Sequence, residues 1–256
     1  MIEPVTETMI EAGIDGAVGR ITLNAPQSHN ALDRAAMRDL AGLLADWAGR
    51  EDLRALVLTG RGRSFCAGAS LGEVGAADWS ENPLTRLCDA IEEFPVPVLA
   101  GLNGGVYGGG VEIALACDFR VGVEGMRAFV PPARLGIHYE PAGIARALDR
   151  LGAQATRRMF LLAETFEAEA LRAMGFLDHL VAPEALDARL AEMTGVLTGL
   201  APLAVRGMKR TIVELSRGSL DAEAARSRIA ACFASTDHAE GLAAQRDRRP
   251  PVFTGR

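Results

Sequence analysis

Apolar and polar positions alternate on either side of Asp15-Gly16 in TMIEAGIDGAVGRITLN, and that dipeptide suits a tight hairpin turn. Two antiparallel strands are therefore predicted over 7–12 and 17–23. The period changes at Asp33, after which Ala36, Met37, Leu40, Leu43, Leu44 and Trp47 recur at helical spacing, predicting an amphipathic helix to about residue 49. ALVLTG at 55–60 reads as a short buried strand closed by glycine. A loop at 60–72 leads to a helix near 83–93; Pro95 and Pro97 end it, and VLAGL at 98–102 reads as the next buried strand. A glycine-rich loop follows, then a helical stretch at 111–116 and extended segments at 119–123 and 127–130. Strand, loop and helix thus recur three times before residue 135, the pattern of a layered α/β arrangement.

Beyond residue 140 the period is helical almost throughout, with helices predicted near 141–150, 153–162, 167–174, 183–199, 202–216, 219–234 and 237–247, interrupted by FLDHLV at 176–181. This divides the chain into a core over 1–195 and a helical region over 196–256, whose apolar faces fit packing on its own core or on another subunit.

Composition narrows the function. The chain has 256 residues, 49% apolar and 23% charged, enough for one large core. A formal charge of -6, with no basic stripe, argues against nucleic-acid binding. No run of about 18 apolar residues predicts a membrane span. The N-terminus carries acids where a signal peptide would be positive, so a cytoplasmic enzyme is expected. Cys66, Cys88, Cys117 and Cys232 form no CxxC and share no zinc-like spacing with the four histidines; they are expected reduced and mostly buried, with no metal site.

Two small-residue loops carry the candidate chemistry: Cys66-Ala67-Gly68-Ala69-Ser70, and Gly108-Gly109-Gly110 ahead of Glu112. Each follows a strand and precedes a helix. Small residues leave backbone N–H groups uncovered, and a helix N-terminus adds partial positive charge, so two such loops facing each other would form an oxyanion hole. The alternative is that the glycines merely allow strand and helix to pack closely. Neither a Walker-type loop nor G-x-G-x-x-G occurs, which removes the main support for nucleotide chemistry. Gly68-Ala69-Ser70-Leu71-Gly72 does satisfy the nucleophile-elbow pattern, with His179 or His238 downstream, but polar residues separate it from the preceding strand.

Five boxes in order then resemble the crotonase, or enoyl-CoA hydratase/isomerase, superfamily: NAPQSHNALD at 24–33, SFCAGASLGEV at 64–74, NGGVYGGGVEIALACDFRV at 103–121, EALRAMGFLDHLV at 169–181 and EGLAAQRDRRPPVFTGR at 240–256. The resemblance implies a spiral of repeated β-β-α units with a C-terminal helical trimerisation region, assembled as a homotrimer or a dimer of trimers. It implies a coenzyme A thioester as substrate and no separate cofactor. It assigns the amides of Ala69 and Gly109 to the thioester oxygen, and places Ala31, Ala67, Gly68, Ser70, Leu71, Gly108 and Pro132 around the substrate.

By the same resemblance Glu112 matches the first of two hydratase glutamates, the one that orients water for addition to the β-carbon of an enoyl thioester. A buried acid paired to a core arginine or a capping group is the other reading. The second glutamate is missing: in PheValProProAlaArgLeuGly at 129–136, Pro132 stands at its position. Tyr139 falls where decarboxylating members place a tyrosine, and a packing tyrosine is equally consistent. His138 reads as a loop residue, and Arg134 as either solvated or facing an acidic acyl group. Ser70 stands where the family commonly has Asp. Arg248 and Arg249 fall near the implied phosphate end of the substrate, or in a solvated basic tail. Hydration of an enoyl-CoA is the leading expectation, with decarboxylation, thioester hydrolysis or acyl-CoA binding without turnover as alternatives.

Overall fold

In a computed structural model that describes residues 9–70 and 82–256, a hairpin opens the chain. Strands β1 (Ile10–Asp15) and β2 (Val18–Leu23) pair antiparallel with Asp15 opposite Val18, so Gly16 and Ala17 make the turn. Gly16 has φ of 56°, a backbone glycine adopts without a steric penalty. The turn thus lies one residue later than the dipeptide suggested, and β1 continues to Asp15 rather than ending at 12.

Three similar turns of chain follow. The first runs through β3 (Ala55–Gly60) and β4 (Ser64–Cys66) to α2 (Pro83–Glu92), after α1 (Arg34–Ala48). The second takes β5 (Val98–Leu102) and β6 (Gly105–Tyr107) into α3 (Gly109–Ala116). The third takes β7 (Phe119–Val123) and β8 (Arg127–Phe129) through a 3-10 turn at Pro132–Leu135 into α4 (Pro141–Leu161). With two later strands, β9 (Phe166–Glu167) and β10 (His179–Val181), the larger sheet has the order β1-β2-β3-β5-β7-β10 and the smaller the order β4-β6-β8-β9. Each turn of chain adds one parallel strand to each sheet, which makes the repeat a β-β-α spiral, as the resemblance implied.

Local chemistry sets the boundaries. Asp33 caps α1 by accepting from Ala36 N at 2.7 Å, and Asn82 caps α2 by accepting from Leu84 N at 3.0 Å with Pro83 in the first turn. β3 and β5 are covered on both faces, so they read as unbroken apolar runs rather than alternating ones. β4 and β6 fall in segments read as loops; three residues each are too few to show a period. The predicted helices at 141–150 and 153–162 form one run broken at Gly152, whose φ is 74°. FLDHLV contributes β10 (His179–Val181), parallel to β7, after the two-residue β9 (Phe166–Glu167) and α5 (Ala168–Ala173).

Residue 195, the expected boundary, lies inside α6 (Leu186–Thr198), whose Leu186 and Leu190 belong to the central core. The helix break after it is at Gly199–Ala201, followed by α7 (Pro202–Ser216), α8 (Ala222–Ala234) and α9 (Thr236–Asp247). Lys209 fastens α7 to the sheet, donating to Val96 O at 3.0 Å and Asp118 Oδ2 at 2.6 Å. No helix of the described residues is long and apolar enough to cross a membrane. Cys66, Cys88 and Cys117 are buried and Cys232 is partly exposed, all as free thiols; burial pushes Cys66 and Cys117 up to about 12.

The packing of β4 on α3 yields a stability test. A Cβ at Gly110 would land on the Cys66 carbonyl, backbone against backbone. Gly110→Ala should lower the unfolding free energy in urea by about 3 kcal/mol. Gly42→Ala, on the exposed face of α1 with nothing within 4 Å, should instead raise it by up to about 1 kcal/mol.

Candidate active site

Because β4, β6 and β8 are parallel neighbours, the turns that leave them emerge side by side at one edge of the smaller sheet. A cleft of about 270 Å³ opens there, lined by Ala67 and Ala69 after β4, Gly108 and Gly109 after β6, Pro131 and Pro132 after β8, then Leu135, Ile137, His138, Tyr139 and Glu140, with Asn82, Leu84 and Glu112 from the helices.

The first turn is held from below by Asn30, which is fully buried at φ 56°. Its Nδ2 donates to the carbonyls of Arg61, Ser64 and Phe65 at 2.8–3.1 Å, and its Oδ1 accepts from Ala25 N at 2.8 Å. Ala67 N donates to His29 O, Gly68 N to Cys66 Sγ and Ser70 N to Leu32 O. Ala69 N is left as the amide of this turn with no protein acceptor among the described residues. In the second turn Gly108 N is taken by Phe129 O, while Gly109 N opens α3 and has no acceptor within the helix. The turns touch: a Cβ on Gly68 would strike Gly109 N and Cα and come 2.9 Å from Gly110 N. Gly68 has φ of 79°, so both its backbone angle and the space beside it require glycine.

Glu112 lies in the first turn of α3, only 2% exposed yet bordering the cleft. Its Oε1 accepts from Arg146 Nη1 at 2.6 Å and its Oε2 from the Tyr139 hydroxyl at 2.9 Å. Arg146, on α4, also pairs with Asp89 and lies 3.4 Å from Glu92, both on α2. Arg150 reaches Glu92 at 3.8 Å, and Arg217, which caps the C-terminus of α7, reaches Glu92 at 2.5 Å and Asp89 at 3.1 Å and also pairs with Glu93. Burial pushes the Glu112 carboxyl above the usual carboxylate range, opposed by the Arg146 cation and the Tyr139 hydrogen bond. Burial and then the Glu112 charge hold the Tyr139 phenol well above its ordinary value, so it is a neutral donor. The two readings of Glu112 coexist: it is paired to a core arginine and it borders the cleft.

Of the residues singled out in the sequence, Ala67, Ala69, Gly108, Gly109, Glu112, Pro132 and Tyr139 meet in this cleft. Ala31, Gly68 and Ser70, expected around the substrate, do not line it. Ala31 sits between Asn30 and Leu32 in the bracing segment, Gly68 is turned against α3, and Ser70 is engaged through its backbone with Leu32. Leu71 lies outside the described residues. His138 does line the cleft, with Nδ1 2.7 Å from Tyr139 O. Arg134 stays exposed, as the solvated reading had it, and does not line the cleft; it donates to Ala163 O at 2.5 Å and lies over the Phe129 ring. Arg249 forms a two-point pair with Glu240 at 2.6 and 2.8 Å, and Arg248 caps α9 in the left-handed region. His179 rests on Arg189 and His238 on Phe233, so no histidine partners Ser70 among the described residues. Asn30, Arg146, Asp89 and Glu92 were not singled out. Arg146 and the two α2 acids look like ordinary polar positions on helices, and only Asn30, inside the first box, had a signal that could have found it.

The sequence model of the enoyl-CoA hydratase/isomerase family matches residues 13–256. An enoyl-CoA isomerase/hydratase of Mycosarcoma maydis is 33% identical over 93% of each chain. The 2,3-dehydroadipyl-CoA hydratase of Escherichia coli is 30% identical, over 92% of this chain and 94% of its own. Among solved structures, an enoyl-CoA hydratase/carnithine racemase from Magnetospirillum magneticum superposes with a TM-score of 0.90 at 27% identity, covering 98% of this chain and 97% of the other. A spiral of β-β-α turns, its small-residue turns meeting at one cleft, and a family match that spans nearly the whole chain lead to one statement: the chain belongs to the enoyl-CoA hydratase/isomerase family and has the crotonase fold.

Proposed function

We propose that the chain adds water to, or removes it from, an enoyl-CoA thioester, with Glu112 and Tyr139 acting as a pair. The observation that carries this reading is that Ala69 and Gly109, whose amides have no protein acceptor among the described residues, line the same cleft as Glu112 and Tyr139. The thioester oxygen accepts from both amides, which are fixed by the backbone before charge develops and therefore stabilise an enolate without reorganising. Water oxygen bonds to the β-carbon, its proton passes to the Glu112 carboxylate, and the α-carbon takes the phenol proton of Tyr139. Glu112 then returns its proton to Tyr139 across their 2.9 Å hydrogen bond. One carboxylate and one phenol thus do what two glutamates do in the resemblance, which suits a chain with Pro132 at the second position.

Decarboxylation is the second reading, favoured by Tyr139 in the cleft. The charges oppose it: Glu112 and Glu140 border the cleft, and no Lys or Arg lines it among the described residues, so a substrate carboxylate would meet like charge. Assembly as a trimer or a dimer of trimers belongs to the same proposal. Met208, Ile212, Ile229, Phe233 and Leu242 stand exposed on α7–α9 around an apolar groove of about 700 Å³.

Turnover of crotonyl-CoA, followed by loss of the conjugated thioester absorbance, tests the roles. Glu112→Gln should lower kcat by about 100- to 10,000-fold, and Tyr139→Phe by a smaller factor with KM little changed. Full hydratase activity in Glu112→Gln would refute the base assignment, and CO2 release from a malonyl-type thioester would favour the second reading. Gly68→Ala, whose methyl would part the two turns, should cost about 100-fold or more in kcat/KM while helical circular dichroism persists.

A further inference from the structure

Glu112 is reached from two sides by groups of different kind. The Tyr139 hydroxyl meets Oε2 at the cleft, and Arg146 Nη1 meets Oε1 from the interior. Arg146 is 6% exposed, and its guanidinium also pairs with Asp89 and approaches Glu92, so a single side chain ties α2, α3 and α4 together. Helix spacing accounts for its reach. Gly143 lies three residues before Arg146 on the same face of α4, and a Cβ there would come 2.7 Å from Glu112 Oε2 and collide with the Tyr139 ring. Without a side chain at 143 the helix closes on α3 far enough for the arginine fork to meet the carboxylate.

We infer that Arg146 is a positioning residue for Glu112, fixing the carboxylate through Oε1 and keeping it charged in the interior while Oε2 and Tyr139 face the substrate. The inference rests on Glu112 being the base. The other groups facing Glu112 cannot replace Arg146. From α2 come Asp89 and Glu92, which are acids, and Cys88, whose buried thiol is neutral; from the segment before α4 comes the neutral Tyr139. Arg150 and Arg217 are engaged with Glu92, Glu93 and Asp89. A buried carboxylate that loses its cation takes up a proton rather than stay charged. The base would then be protonated up to a higher pH, and the acid limb of the rate profile would move upward.

The test is the pH profile of kcat/KM for crotonyl-CoA hydration in wild type, Arg146→Gln and Arg146→Lys. It is paired with an infrared titration of the carboxyl band that Glu112→Gln removes, a readout that does not depend on turnover. An opposite charge at this range lowers a carboxyl pKa by roughly 1–3 units, so Arg146→Gln should raise both the acid limb and the titration by about one unit or more. The activity lost at neutral pH should return in alkali. A role confined to stability would lower the melting temperature and leave both titrations in place. Should Arg146→Gln fail to fold, Arg146→Lys decides: its single ammonium cannot serve Glu112, Asp89 and Glu92 together, so a smaller upward shift is expected. Titrations that coincide with wild type in the folded variant overturn the inference. Wild-type turnover in Glu112→Gln would instead remove Glu112 as base, and the infrared titration would still report whether Arg146 sets its charge.

Discussion

The close approach of the turn after β4 to the first residues of α3 is the constraint on which the site depends. Gly68, Gly109 and Gly110 stand backbone to backbone, and a methyl group on Gly68 or Gly110 would collide with the opposing chain. At that distance two residues with spare amides come to border one cleft. Among the described residues Ala69 N has no acceptor while Ala67 N, Gly68 N and Ser70 N each have one, and Gly109 N is spare because the first turn of a helix has no acceptor for it. The spiral supplies the rest. Parallel neighbours β4, β6 and β8 must end on the same side, so three chain turns separated in sequence deliver their loops to one place.

Behind the cleft lies a layer of charge that the sheet alone could not hold. Asp89, Glu92, Glu93 and Glu112 are interleaved with Arg146, Arg150 and Arg217, drawn from α2, α3, α4 and the residues that cap the C-termini of α2 and α7. The buried members, Glu92, Glu112 and Arg146, are tolerated because each meets an opposite partner at short range, and removal of one leaves the others uncompensated. Arg217 carries the network from the C-terminal helices to α2. The helical region is thereby continuous with the site electrostatically as well as through the Lys209 contacts to Val96 and Asp118.

The short and special elements were the ones hard to see in the sequence. β4 and β6 have three residues each and no visible period, yet they carry both small-residue turns. Asn30 is polar in a polar loop until folding buries it and sets it against three carbonyls. The helices from 141 onward were legible almost to their ends because amphipathic spacing is a local property. Even the break at Gly152 fell where two helices had been separated. The boundary at 195 missed because α6 is amphipathic like its successors, and only its contact with the sheet places it in the core.

The sequence by itself determined the alternation of strand and helix, the small-residue turns and the absence of a second acid at Pro132, since each depends on residue type and local spacing. Tertiary structure alone decided that Glu112 has both a core arginine and a cleft phenol as partners. Residues 89, 112, 139 and 146 meet only after three helices have packed, and a charge reads the same in sequence whether it ends in solvent or in an ion pair.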